Sequence, residues 1–101
     1  MSVARMARVR SRMEEVGIDA VLLSLGADLP WLTGYTAMPL ERLTMLVLPA
    51  DGDATLVVPR LEAARVEERP DAFSIRPWGE TEDPVRIVAS LVGSRRRLAI
   101  G

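Results

Sequence analysis

The chain has no cysteine, histidine or lysine, and these absences remove most routes to catalysis. Without cysteine there is no disulfide, thiolate zinc site or thiol nucleophile. Without histidine the usual proton-transfer group near neutral pH is missing, and without lysine no Schiff base forms. Every cation is arginine, which binds anions well but does not act as a base. The sequence therefore carries no complete catalytic or metal-binding constellation of its own.

The sequence also has no large excess of positive or negative charge and no long apolar run. The net charge is −1 over 101 residues, which argues against nucleic acid or a charged membrane surface as a partner. No apolar run is long enough to span a bilayer, and arginines interrupt the N-terminus where a secretory signal would need an apolar core. A cytoplasmic location and one domain, or part of one, are the resulting expectations.

The apolar spacing near the N-terminus is typical of an amphipathic helix. Met6, Val9, Met13 and Val16 recur at intervals of three and four residues, and Gly17 stands where a left-handed cap ends such a helix. The arginines of this segment are interpreted as a solvated helix face rather than an anion-binding patch.

A continuous apolar run over residues 20–25 predicts a strand covered on both faces. A short helix then begins at Asp28, and its turn is expected to bury Trp31 and Leu32.

Two further apolar segments, 43–48 and 54–58, flank Asp51 and Gly52, a turn pair typical of an antiparallel hairpin. Apolar runs, together with the prolines and glycines at their ends, predict a helix over 59–69, a strand over 73–78, a helix over 83–93 and a strand over 97–100. The fold class is therefore α/β, a mixed sheet flanked by helices.

Two groups of acidic residues have a structural and a metal-binding interpretation. Glu80, Glu82 and Asp83 could hold a hard cation, but acids directly before a helix are better explained by capping and by the helix dipole. Asp51 and Asp53 flank a glycine as in a calcium loop, but the rest of that motif is absent. The favoured interpretations are a helix cap and a hairpin turn.

Four segments, taken in order, resemble a known family. They are R-V-R-S-R-M-E-E-V-G-I-D-A at 8–20, D-L-P-W-L-T-G-Y at 28–35, L-V-L-P-A-D-G-D-A-T-L-V-V-P-R-L-E at 46–62 and W-G-E-T-E-D-P at 78–84. Together they are similar to the N-terminal domain of the creatinase/prolidase/aminopeptidase P family, the "pita-bread" metallopeptidases. Trp31 stands where tyrosine is more usual in the family.

The resemblance implies a ribonuclease H-like domain without catalytic residues over 1–101, ending before the family's N-terminal domain normally does. The catalytic domain that follows in the family holds two divalent metals, such as Mn, Co or Zn, through two Asp, one His and two Glu. The isolated chain is therefore expected to hydrolyse no Xaa-Pro peptide and to bind none of these metals stoichiometrically.

By the same resemblance, the parent would cleave bonds to proline as an Xaa-Pro aminopeptidase or dipeptidase. The chain would contact its own catalytic domain, further copies of itself in a homodimer or larger oligomer, and the peptide substrate. Its roles would be subunit association and active-site access, with Tyr35, Arg42 and Trp31 as substrate-channel or interface candidates. A creatinase-like or inactive homologue, and a free-standing α/β interaction or small-ligand module, are the alternatives.

Overall fold

The computed structural model describes residues 2–24, 28–33 and 43–101. Within these ranges the elements are α1 (Ser2–Val16), β1 (Ala20–Leu23), α2 (Asp28–Thr33), β2 (Met45–Pro49), β3 (Thr55–Pro59), α3 (Arg60–Ala63), β4 (Ser74–Trp78), α4 (Pro84–Val92) and β5 (Leu98–Ile100). Every predicted element is present, so the predicted α/β class is confirmed.

The strands form one mixed sheet in the order β4-β3-β2-β1-β5. The central β1, β2 and β3 are antiparallel neighbours, and the predicted hairpin is confirmed by the pairing of Leu46 with Leu56. The outer strands β4 and β5 run parallel to β3 and β1. Four strands therefore share one direction, and only β2 opposes them.

Two layers of apolar side chains cover the two faces of the sheet. The face under α1, α2 and α3, here the α1–α3 face, buries the larger cluster: Met6, Met13, Leu23, Leu32, Leu46, Leu48, Ala54, Leu56, Val58, Val66, Ala72 and Phe73. The opposite face, the α4 face, buries a smaller cluster: Leu22, Val47, Val57, Val88 and Val92. Since β1 contributes Leu22 to one cluster and Leu23 to the other, the prediction of a strand covered on both faces is confirmed.

Helix α1 follows the predicted stripe except at its last residue. Met6 and Met13 are buried, whereas Val16 is 49% exposed. Gly17 takes a φ of 75°, which only glycine adopts without strain, and so ends the helix as predicted. Val16 is exposed because it occupies the final turn, beyond the sheet that covers the rest of the stripe.

Helix α3 is much shorter than the predicted 59–69. It ends at Ala63, and the chain continues in three-residue turns in which Val66 N–H donates to the Ala63 carbonyl at 3.2 Å. Val66 and Phe73 are buried in the α1–α3 face, while Leu61 is 78% exposed. The helix prediction was wrong because burying Val66 outweighs local helix propensity.

Helix α4 begins and ends where the sequence predicts. The Asp83 carboxylate accepts a hydrogen bond from Val85 N–H at 3.0 Å, Pro84 occupies the first turn, and Gly93 ends the helix with a φ of 61°. Its apolar face buries Val88 and Val92, whereas Val85 in the first turn is 65% exposed. Among the described residues, no helix combines the length and apolar character needed to cross a membrane.

Candidate functional site

One end of the sheet collects the segments that follow the parallel strands. Because β1, β3, β4 and β5 share one direction, their carboxyl ends lie at the same end, here the carboxyl end of the sheet. Helix α2 comes after β1, helix α3 after β3, and the turn 79–82 after β4. Ligands of open α/β sheets usually bind outside the carboxyl ends of strands, so this end is the first place to look for a site.

Trp31 lies in α2 at this end, and its predicted burial was wrong. The side chain is 41% exposed, whereas the adjacent Leu32 and Thr33 are buried. Arg5 of α1 places its guanidinium 5.3 Å from the centre of the indole ring and donates to the Trp31 carbonyl at 2.7 Å. An amphipathic helix of six residues buries only one side, so Leu32 takes the core position and Trp31 faces outward against Arg5.

Tyr35 and Arg42, the other two predicted site residues, lie outside the described residues. The residues on either side of that segment are described. Thr33 is buried in α2, and the Leu43 carbonyl accepts a hydrogen bond from the Trp78 indole N–H at 2.9 Å. Both flanking positions are therefore anchored to elements at the carboxyl end of the sheet.

The acidic residues before α4 act as structural groups. Besides the Asp83 cap, Glu82 accepts from Gly79 N–H at 3.0 Å and pairs with Arg76 at 2.6 Å. The hydrogen bond from Arg76 and that from Gly79 hold the pKa of Glu82 below its usual range. The capping interpretation is confirmed for Asp83.

The predicted hairpin turn is likewise confirmed, and its acid has a partner far along the chain. Asp51 pairs with Arg95 at 2.9 Å, and this hydrogen bond lowers the pKa of the Asp51 carboxyl. Within the described part of the chain, no three Asp, Glu, His or Cys side chains group so as to hold a metal ion. The described residues therefore offer no site for a metal pair.

Two polar residues have structural roles that sequence reasoning did not assign. Arg10 donates to the carbonyls of Pro49 at 3.2 Å and Gly52 at 2.6 Å, fixing the hairpin to α1, so the arginines of α1 are not simply a solvated face. Asp19 accepts the backbone N–H groups of Arg96 and Arg97 at 3.2 and 3.0 Å, which lowers its pKa. The available signal was position alone: Asp19 precedes a buried strand within the G-I-D-A segment.

Comparison with known proteins agrees with a mixed sheet flanked by helices on both faces. The chain is 34% identical over 92 residues to a Mycobacterium bovis protein named "Probable dipeptidase PepE", covering 88% of this chain and 24% of the relative. The crystal structure of dipeptidase PepE from Mycobacterium ulcerans superposes with a TM-score of 0.80 at 36% identity, covering 91% of this chain and 26% of that one. The chain thus spans about a quarter of the length of these relatives.

A third comparison concerns the fold alone. The N-terminal domain of Xaa-Pro dipeptidase from Lactobacillus brevis gives a TM-score of 0.83 at 23% identity, covering 95% of this chain and 75% of that one.

The family model of the Creatinase/Prolidase N-terminal domain matches residues 5–101. The chain belongs to this family, and the resemblance noted in the sequence is confirmed.

Proposed function

We propose that this chain is the non-catalytic N-terminal domain of an Xaa-Pro dipeptidase and that it serves subunit association and active-site access. The observation that carries the proposal is the 34% identity to a probable dipeptidase, confined to about the quarter of that relative which this domain occupies. The two divalent metals and the hydrolytic residues would then belong to the remainder of the parent. A cytoplasmic parent that assembles into a homodimer or larger oligomer completes the proposal.

The surface that would control access is the carboxyl end of the sheet. Trp31 is exposed there and held by Arg5, and Thr33 and Leu43 anchor both ends of the segment that carries Tyr35 and Arg42. A rigid aromatic side chain and an arginine suit contact with a peptide or with a partner subunit. Trp31, Tyr35 and Arg42 are therefore proposed to line the substrate channel or the subunit interface.

The proposal is tested on the full-length parent with a set of Xaa-Pro dipeptides, with Mn, Co or Zn supplied. We expect proline release by the parent and none by the 101-residue chain. In the parent, Trp31→Ala, Tyr35→Ala and Arg42→Ala are each expected to raise KM several-fold or to weaken association in sedimentation. Arg12→Ala is the matched control, since Arg12 is exposed on α1 and pairs with Glu15.

Two outcomes would count against it. Absence of Xaa-Pro hydrolysis by the metal-loaded parent would overturn the assigned activity. Unchanged KM, kcat and sedimentation in all three variants would overturn the access and association roles while leaving family membership intact.

A further inference from the structure

A cavity of about 360 Å³ opens between the segments that follow β3 and β4. These strands are parallel and end together, with Pro59 opposite Trp78 in the register. The cavity, here the Arg60 cavity, is lined by Arg60, Leu61, Trp78, Gly79, Glu80 and Thr81. It therefore lies at the carboxyl end of a parallel strand pair, where α/β sheets commonly bind ligands.

Arg60 brings an uncommitted positive charge to this cavity. Its guanidinium carbon lies 3.5 Å from the position that a Cβ on Gly79 would occupy, so the side chain rests against the turn after β4. Among the described residues Arg60 makes no hydrogen bond or ion pair. It interacts with Glu82 by Coulomb attraction alone, without direct contact. Glu82 is already paired with Arg76. The planar fork of N–H donors on Arg60 is thus available to a carboxylate.

Two of the other lining side chains, Leu61 and Trp78, are apolar, and Trp78 is fixed in place. The Trp78 indole is half-buried and is held by its hydrogen bond to the Leu43 carbonyl. Leu61 is 78% exposed, more than any other large hydrophobic side chain in the described ranges. Exposed leucine beside a fixed aromatic ring and the Arg60 guanidinium combines apolar walls with one polar group, which suits an anion with an apolar body.

The charges of the cavity narrow the class of ligand. Glu80 also lines the cavity but has an interaction of its own, so Arg60 is the lining residue that offers a charge to a ligand. A single guanidinium matches the charge and the two oxygens of one carboxylate better than it neutralises a multiply charged phosphate. A short peptide with a free C-terminus carries such a carboxylate on an apolar body.

We propose that the Arg60 cavity binds the C-terminal carboxylate of a short apolar peptide, with the carboxylate on Arg60 and the terminal side chain between Leu61 and Trp78. This goes beyond the proposed function, because none of the residues that line the cavity is assigned there to association or access. It adds a peptide-recognition site to a domain assigned so far only to association and access.

The test is isothermal titration of the 101-residue chain with leucyl-proline, with its C-terminal amide and with inorganic phosphate. We expect one-to-one binding of leucyl-proline with a millimolar or tighter Kd, and a Kd at least about tenfold weaker for the amide. Arg60→Gln should weaken leucyl-proline binding by a similar factor. Arg12→Gln, which removes an exposed arginine outside the cavity, should leave the Kd unchanged.

The comparison of acid with amide uses unaltered protein, so it stands even if a variant folds poorly. No saturable binding of leucyl-proline, equal affinity for acid and amide, or tighter binding of phosphate would each overturn the proposal. Because no hydrolysis is measured, a parent without Xaa-Pro activity would leave this result unaffected.

Discussion

The two faces of the sheet are held in different ways. Counting the described residues alone, the α1–α3 face is covered by three helices and buries twelve side chains in one cluster, whereas the α4 face is covered by one helix and buries five. Burial of apolar area is the dominant stabilising term in folding. The α1–α3 face, which buries more apolar side chains, therefore supplies most of this stabilisation. On the second face a groove of about 470 Å³ remains open between α4 and β4.

Polar contacts at both ends compensate for the limited burial of α4. Asp83 caps its first turn, and beyond its end Arg95 pairs with Asp51 while Asp19 accepts the N–H groups of Arg96 and Arg97. The α1–α3 face therefore depends more on packing, and the α4 face depends more on polar anchors. Substitutions that remove packing and substitutions that remove polar anchors should therefore change the free energy of unfolding by different amounts on the two faces.

The sharpest comparison uses two neighbouring residues of β3. Val58 belongs to the α1–α3 cluster and Val57 to the α4 cluster, and both are fully buried. We expect Val58→Ala to lower the free energy of unfolding by about 2 kcal/mol and Val57→Ala by about 1 kcal/mol, because α4 can settle into the space that is left. Urea unfolding of both variants measures the difference. Equal losses would mean that the two faces are packed equally well.

Most of the fold was predictable because its signals are local. The apolar stripe of α1, the turn pair of the hairpin and the Asp-Pro start of α4 each lie within a few residues of the element they specify. The extent of α3 was not predictable in this way. Its end depends on Val66 and Phe73 entering a core built by distant strands, which no local pattern records.

The candidate site was less predictable, because its contacts join residues far apart in sequence. Arg5 and Trp31 come from different helices, and Arg60 meets the turn at Gly79 only because β3 and β4 pair in parallel. Sequence reasoning selected Trp31 as an aromatic candidate but expected it to be buried. It did not select Arg60, since an arginine after a strand carries no distinguishing pattern.

The N-terminal anchor of α4 gives the second prediction. Asp83→Ala removes the acceptor for Val85 N–H and should lower the free energy of unfolding by about 1 kcal/mol. Asp83→Ser, which keeps an acceptor at the cap, is the matched control and should recover most of the loss. Thermal unfolding of the two variants is the measurement. If alanine and serine behaved alike, the cap would not be an anchor of the α4 face.

The third prediction, with the smallest expected effect, concerns stability at low pH. It tests the anchor that Asp19 provides beyond the C-terminal end of α4. The backbone N–H groups of Arg97 and Arg96 hold the pKa of Asp19 below its usual value, so the folded state favours the ionised carboxylate. A lowered folded-state pKa contributes stability above the unfolded value, about pH 4, and that contribution is lost as the pH falls through the lower folded value. Asp19→Asn should therefore be less stable than wild type at pH 7, and the gap should narrow as the pH falls below about 4. Urea midpoints at a series of pH values measure this gap.

Asp53→Asn, which removes a carboxylate from the hairpin turn without touching the junction of β1 and β5, serves as the control. A gap between wild type and Asp19→Asn that is constant with pH would show that the carboxylate charge does not hold this anchor.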